Sequence, residues 1–531
     1  MTHQLSLLQK MIFLSGIFFI CLSPVTAQSY PQWGGLEPGP YQVGFRVVQT
    51  EDQSRTYQSH AAPPNQQVKA VTARPMQLSI WYPAAALPAA SRAPYSEYSK
   101  LWSLDLGQAA DPNLQQAYHA HGLRQSLTFG LWSLGEPRDK SISDEAYARI
   151  MATPTAVTWN APPLPGSFPV MIFAFAGGTI GTMSYNIWLE YWASHGYIVI
   201  TMPHLGTSPI KYRMPDWSAA EIAAAAQDIG FIVDYASKLP GADARTVGVI
   251  GFMSLGGLLY QMQTNRLGAL ALFDEGDFSA ELRKLPGFNL DLVRIPLLNI
   301  PSTQAPPHAA LLEQMKYAER TTLMMKDADH GFFSQFIYPD RTKDQTGLEM
   351  AIRYTRRFFD AHLKGDTAGR AFLTRQPEEN GAPAGLVKLS RMPAKPAVPT
   401  ADEFLTLIVN NQLAEAKRIY FEVKAREPER RLFSEERINY LLRQLGQERG
   451  FNSLMIVFEL VADAFPNSMM SRNSYGNALM QAGDTAGALR EFEAALELLS
   501  KDTTLSPEQR AAQEKAWREK ITRLRSAKEQ K

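Results

Sequence analysis

The strand-like run Val247-Gly-Val-Ile-Gly-Phe252 leads into Met253-Ser254-Leu255-Gly256-Gly257 and then into a helical pattern. A strand, a sharp turn with serine at its tip, two glycines and a helix describe a nucleophile elbow. Small residues after the serine let the chain reverse without a clash. The N-terminus of the next helix stabilises negative charge beside the hydroxyl. A serine hydroxyl is a weak nucleophile alone, so this chemistry needs a histidine base and an acid to orient it. Of the nine histidines, His330 is the best base. It lies in Asp327-Ala-Asp329-His330-Gly331-Phe332-Phe333, between the last strand and the last helix of its region. His119 and His121 form an isolated pair, and His204 lines a site or caps a turn.

The acid follows by elimination. Many hydrolases place it two strands after the elbow, but Ile295–Ile300 is followed by Pro301-Ser-Thr-Gln-Ala-Pro-Pro307, which has no carboxylate. The preceding strand, Ala269–Phe273, runs straight into Asp274-Glu275-Gly276-Asp277. Asp274 comes first and is the favoured acid, Asp277 is the alternative, and Glu275 points away. An oxyanion needs two fixed N–H donors. Leu255 supplies one, just after the serine. Gly177, in the loop Ala176-Gly-Gly-Thr179, supplies the other, because backbone close to substrate favours glycine.

These residues need a scaffold that brings strand ends together. Strands are expected near Gln42–Gln49, Met76–Tyr82, Pro169–Phe175, Tyr197–Met202, Val247–Phe252, Ala269–Phe273, Ile295–Ile300 and Thr322–Lys326. Val170-Met-Ile-Phe-Ala-Phe175 and Ile198-Val-Ile-Thr-Met202 are apolar without alternation, as strands buried on both faces of a parallel sheet are. Helical patterns lie between, at Tyr185–His195, Ala219–Leu239, Leu255–Thr264, Ala309–Glu319 and Leu348–His362. Alternating strand and helix predict an α/β fold with a doubly wound, mostly parallel sheet, whose sites lie at the carboxyl ends of the strands. The order Ser254, Asp274, His330 is that of the α/β-hydrolase triad. Residues 95–160 form an insertion that reads equally as a lid and as a peripheral subdomain.

From 401 to 531 the pattern is helical only. Leu454, Phe458, Val461 and Pro466 recur 34 residues later as Ala488, Phe492, Ala495 and Ser500. A looser copy is Ala416, Tyr420, Val423 and Pro428, and Gly476 stands where the first helix of a tetratricopeptide hairpin needs a small residue. These spacings predict an all-α, tetratricopeptide-like domain able to take a protein partner. Arg391-Met-Pro-Ala-Lys-Pro-Ala-Val-Pro-Thr400 reads as the stiff linker before it.

Lys10, the apolar run Met11–Leu22 and Val25-Thr-Ala27 read as a signal peptide cleaved after Ala27, so the chain is expected to be exported, periplasmic or secreted. The hydrolase region would then span 28–390. Cys21, the one cysteine, falls in the signal; a disulfide framework and a Cys-rich metal site are excluded. Fifty-three basic against 52 acidic residues give a net charge of +1, which argues against nucleic acid as a partner. No integral membrane segment is expected after signal cleavage.

The sequence resembles the platelet-activating factor acetylhydrolase-like α/β-hydrolases, close to the dienelactone hydrolases, over about residues 38–365. The resemblance rests on Gly39-Pro-Tyr-Gln-Val-Gly-Phe45, Leu78-Ser-Ile-Trp-Tyr-Pro83, Ala161–Val170, Ala193-Ser-His-Gly-Tyr-Ile-Val199, the elbow, Leu272-Phe-Asp274 and the His330 loop. It implies hydrolysis of a small-molecule carboxylic ester without metal or organic cofactor, and an acid taken from the strand after the elbow helix. Two departures bear on activity. The family's Gly-His-Ser-x-Gly-Gly is here Gly251-Phe-Met-Ser254-Leu-Gly-Gly257, one residue longer, and alignment from Gly251 puts Met253 at the nucleophile. The family's Ser-His-Gly oxyanion loop is here Ala174-Phe175-Ala176. A serine esterase acting through an acyl-enzyme is the leading expectation. The alternative is a noncatalytic pseudo-hydrolase that binds or scaffolds through its helical repeats.

Overall fold

In a computed structural model of the 531-residue chain, the described residues are 30–57, 72–85, 92–98, 101, 124, 142–175, 184–203, 217–274, 279–303, 309–328, 330–333 and 345–529. The chain divides into two compact units, one ending at Lys395 and one beginning at Pro396.

The first unit contains, in order, β1 (Gln42–Tyr57), β2 (Thr72–Ala84), α1 (Asp144–Ala152), β3 (Val157–Trp159), β4 (Phe168–Phe175), α2 (Asn186–Ser194), β5 (Ile198–Thr201), α3 (Ala219–Ala236), β6 (Ala242–Phe252), α4 (Gly256–Thr264), β7 (Ala269–Phe273), β8 (Leu297–Ile300), α5 (Ala309–Gln314), β9 (Arg320–Met325), α6 (Gln345–Leu363), α7 (Thr367–Thr374) and β10 (Val387–Met392). The strands form one ten-stranded sheet in the order β3-β1-β2-β5-β4-β6-β7-β8-β9-β10. It is parallel from β5 across to β9, with antiparallel pairs β1/β2, β2/β5 and β9/β10. After β4 the chain steps to β5 on one side, then crosses back to β6 and walks outward through β7, β8 and β9. The direction therefore switches between β4 and β6, where the strand ends open a crevice.

Alternation along the strands divides the core between two layers. Phe173, Phe252 and Phe273 pack toward α2 and α6, with Trp188, Trp192 and Phe359. Ile172, Val249 and Leu270 pack toward α3 and α4, with Ile229, Leu258 and Leu259. The continuous apolar runs of β4 and β5 thus have a buried layer on each face. The described ends of the 95–160 insertion enter the first layer: Tyr95, Tyr98, Leu101, Ile150 and Ala156 are buried in it. Both edge strands, β3 and β10, go beyond the sequence reading. β10 also takes up Arg391 and Met392, the first two residues of the proline-rich stretch.

The second unit consists chiefly of α8 (Ala401–Val409), α9 (Leu413–Arg426), α10 (Glu435–Arg449), α11 (Met455–Ala464), α12 (Met469–Gln481), α13 (Thr485–Lys501) and α14 (Pro507–Glu529). A capping box starts it: Thr400 Oγ1 accepts from Glu403 N–H, and the Glu403 carboxylate accepts from Thr400 N–H. α12 and α13 pack closely because Gly476 lacks a side chain. A Cβ there would stand 2.9 Å from the Phe492 ring. Ala488, Phe492 and Ala495 are fully buried. Gly476→Ala is therefore expected to destabilise this unit by about 1–3 kcal/mol through overpacking, although alanine is the better helix former. Hydrogen exchange of the α12 and α13 amides in the full chain measures it; unchanged protection would refute the close approach.

Candidate active site

The elbow stands at the switch point, after β6. Phe252 pairs with Phe175 of β4 and Phe273 of β7. The ladder continues one residue further, since Met253 N–H donates to Phe273 C=O at 3.0 Å. Then the chain reverses. Met253 takes the left-handed conformation, with φ +49°. Ser254 follows, and Leu255 is the N-cap of α4. Gly251 sits beneath the reversal: a Cβ there would stand 2.2 Å from the Ser254 carbonyl oxygen. No larger residue fits while the turn keeps this shape.

The strained tip thus belongs to Met253. The sequence offers both registers, Ser254 at the tip or, aligned from Gly251, Met253, and the left-handed φ falls at Met253 because of the extra residue between Gly251 and the serine. A thioether carries no proton for a base to remove. Ser254 is one residue further on, 7% exposed. It lines a small cavity on the α3 side, with Ile172, Ala174, Asp228 and Ile229. Phe252 packs on the opposite side of the sheet, stacked on Phe175 at 5.4 Å between centroids. It also meets Tyr185 at 5.3 Å and Phe333 at 5.7 Å.

Asp274 directly follows β7, one strand from the elbow. Its N–H donates to Ile300 C=O, its φ is +45°, and it is buried. A helical turn, His330–Phe333, follows β9. Phe333 packs on both Phe252 and Phe273, at 5.7 and 5.9 Å. The backbone turn that carries His330 therefore folds over the ends of β6 and β7. The structure brings the Ser254, Asp274 and His330 segments to one edge of the sheet. Gly177, Asp277, Glu275, His204, His119 and His121 lie outside the described residues, as does the His330 imidazole.

Sequence reasoning also missed a buried ion network behind the elbow. Asp228 on α3 accepts from Arg74 Nε at 2.8 Å and Nη2 at 2.7 Å, and pairs with Arg55 Nη2 at 2.7 Å. Arg55 reaches it from a bulge in β1 between Asp52 and Thr56, where Asp52 also holds Arg55 Nε at 2.6 Å. No periodic signal marks such a pairing, because the partners are more than 150 residues apart in sequence.

No family model and no curated protein matches the chain. Among solved structures, a ferulic acid esterase from Streptomyces cinnamoneus is similar, with a TM-score of 0.44 and 17% identity, covering 66% of this chain and 97% of that one. The strand order, and not this likeness, defines the fold: the first unit has the α/β-hydrolase fold, and an all-α unit follows it. Among the described residues, no helix is long and apolar enough to cross a membrane.

Proposed function

We propose that this is a noncatalytic α/β-hydrolase-fold protein that acts by binding, with its helical unit as a tetratricopeptide-like module for a protein partner. The observation that carries the reading is the left-handed φ of Met253 at the elbow tip, the position an acyl-transfer nucleophile occupies. The 34-residue spacing and the close approach of Gly476 to Phe492 support the repeat assignment. A fluorophosphonate probe, with mass mapping of the modified peptide, tests it. Ser254 is expected to stay unmodified; stoichiometric labelling of Ser254 would overturn the reading.

A second reading has one observation in its favour, the contact of Phe333 with both Phe252 and Phe273. Under it the chain is an exported serine ester hydrolase. Ser254 attacks the carbonyl, His330 takes its proton, Asp274 holds the imidazolium, and the Leu255 and Gly177 N–H groups hold the oxyanion. This requires the turn to rearrange so that Ser254, and not Met253, reaches the tip.

A further inference from the structure

Every residue of α2 is buried, and one of them is a carboxylic acid. Glu190 is 0% exposed. Tyr98 Oη donates to its Oε1 at 2.9 Å, Asn186 Nδ2 to Oε1 at 3.0 Å, and Ala156 N–H to Oε2 at 2.9 Å. Trp81 Nε1 donates to Tyr98 Oη at 2.7 Å, which turns that hydroxyl toward the carboxyl. Of these donors Tyr98 and Ala156 belong to the ends of the insertion, and the Trp33 indole, from the segment before β1, also faces the carboxyl. Asn186 has a side-chain oxygen that is buried and unpartnered.

Among the described residues, no basic side chain pairs with Glu190. The titratable groups that face it are phenols: Tyr95 and Tyr98 from the insertion, and Tyr30 from the segment before β1. Burial pushes the ionisation of all three to higher pH, so they stay neutral. Arg92 lies over the Tyr30 ring at 4.9 Å. At the C-cap of α2, the His195 ring packs tilted against Tyr191, and its near charges are Arg356, Asp360 and Lys364. An isolated carboxylate taken out of water is costly. Burial accordingly pushes the Glu190 carboxyl above its usual range, against the hydrogen bonds from Asn186, Ala156, Tyr98 and Trp33.

We propose that Glu190 is a protonation-controlled latch between the insertion and α2. In the closed state it is a neutral acid. With the Asn186 amide turned, its O–H donates to the otherwise unpartnered Asn186 oxygen, while its remaining lone pairs accept from Tyr98 and Ala156. Loss of the proton leaves an unpaired buried anion, which is relieved by admitting water and loosening the two insertion ends. The latch touches the elbow's surroundings: Tyr185, the residue before Asn186, packs on both Phe175 and Phe252.

The sign follows from the direction of the shift. An acid raised in the folded state contributes fully below its unfolded value and loses that contribution as pH rises through the folded one. The full-length chain is examined from about pH 5 to about pH 8, a span above the ordinary glutamate range. Infrared difference spectra against Glu190→Gln are expected to show a protonated carboxyl band at the low end that fades with rising pH. Over the same span, intrinsic-corrected hydrogen-exchange protection at the Ala156 amide is expected to fall about tenfold as the carboxyl ionises. In Glu190→Gln it is expected to stay flat. Absence of the carboxyl band, or wild-type protection that does not change with pH, would overturn the latch. The wild-type exchange readout stands if the variant does not fold.

Discussion

Ser254→Ala is expected to leave hydrolysis of p-nitrophenyl acetate and butyrate within about twofold of the wild-type rate. In a working serine hydrolase, removing the nucleophile costs roughly 10⁴-fold or more, so the two outcomes are far apart. The argument is geometric. A nucleophile must reach the substrate carbonyl from the strained tip while its base stands within hydrogen-bond reach. Here the tip is Met253, and Ser254, one residue further, lines a small cavity with Asp228 and Ile229 of α3. Deletion of Met253 supplies the complementary arm. It leaves Gly-Phe-Ser-Leu-Gly-Gly, and with Gly251 still free of a side chain the serine should move to the tip. Fluorophosphonate labelling of that variant, and not of the wild type, is the expected result. A loss of turnover in Ser254→Ala would instead establish the esterase reading.

Asp228→Ala is expected to destabilise the first unit by about 3–5 kcal/mol, because it removes the buried carboxylate that two guanidinium groups share. Arg74 is 4% exposed and loses its bidentate acceptor. Arg55 loses one of its two carboxylate partners and keeps Asp52. Urea unfolding followed by tryptophan fluorescence measures the loss. A cost below about 1 kcal/mol, the range of exposed pairs, would show that water screens this network. The double variant Arg74→Met/Asp228→Ala should recover part of the loss, since it also removes the buried guanidinium that Asp228 held by two hydrogen bonds.

The sheet centre was legible because burial on both faces leaves a plain mark. Val170–Phe173 and Ile198–Ile200 have no polar residue to hide the strand. The edges were not legible. β3 has three residues, and in β10 Lys388 and Arg391 interrupt the apolar pattern and point to solvent, so the run reads as loop. α1 had a usable signal that went unread: Ser143-Asp144-Glu145, whose serine accepts from Ala146 N–H as an N-cap. At the site, the strand-end positions of Ser254 and Asp274 followed from the alternation of strand and helix. The identity of the tip did not follow. One extra residue between Gly251 and Ser254 fits either as a longer strand or as a wider turn, and only backbone dihedrals choose between them.

β10 has a consequence for dividing this protein. The proline run at Pro393 invites a cut before it, and the cut must spare Met392. β10 pairs along the whole of β9, from Val387 against Met325 to Met392 against Arg320. A piece that stopped at the end of α7 would bare the backbone donors and acceptors of β9, beside a Met324 already 50% exposed. Such an edge is a template for another chain. In the intact protein, the last strand before the second unit therefore also serves as the guard against self-association.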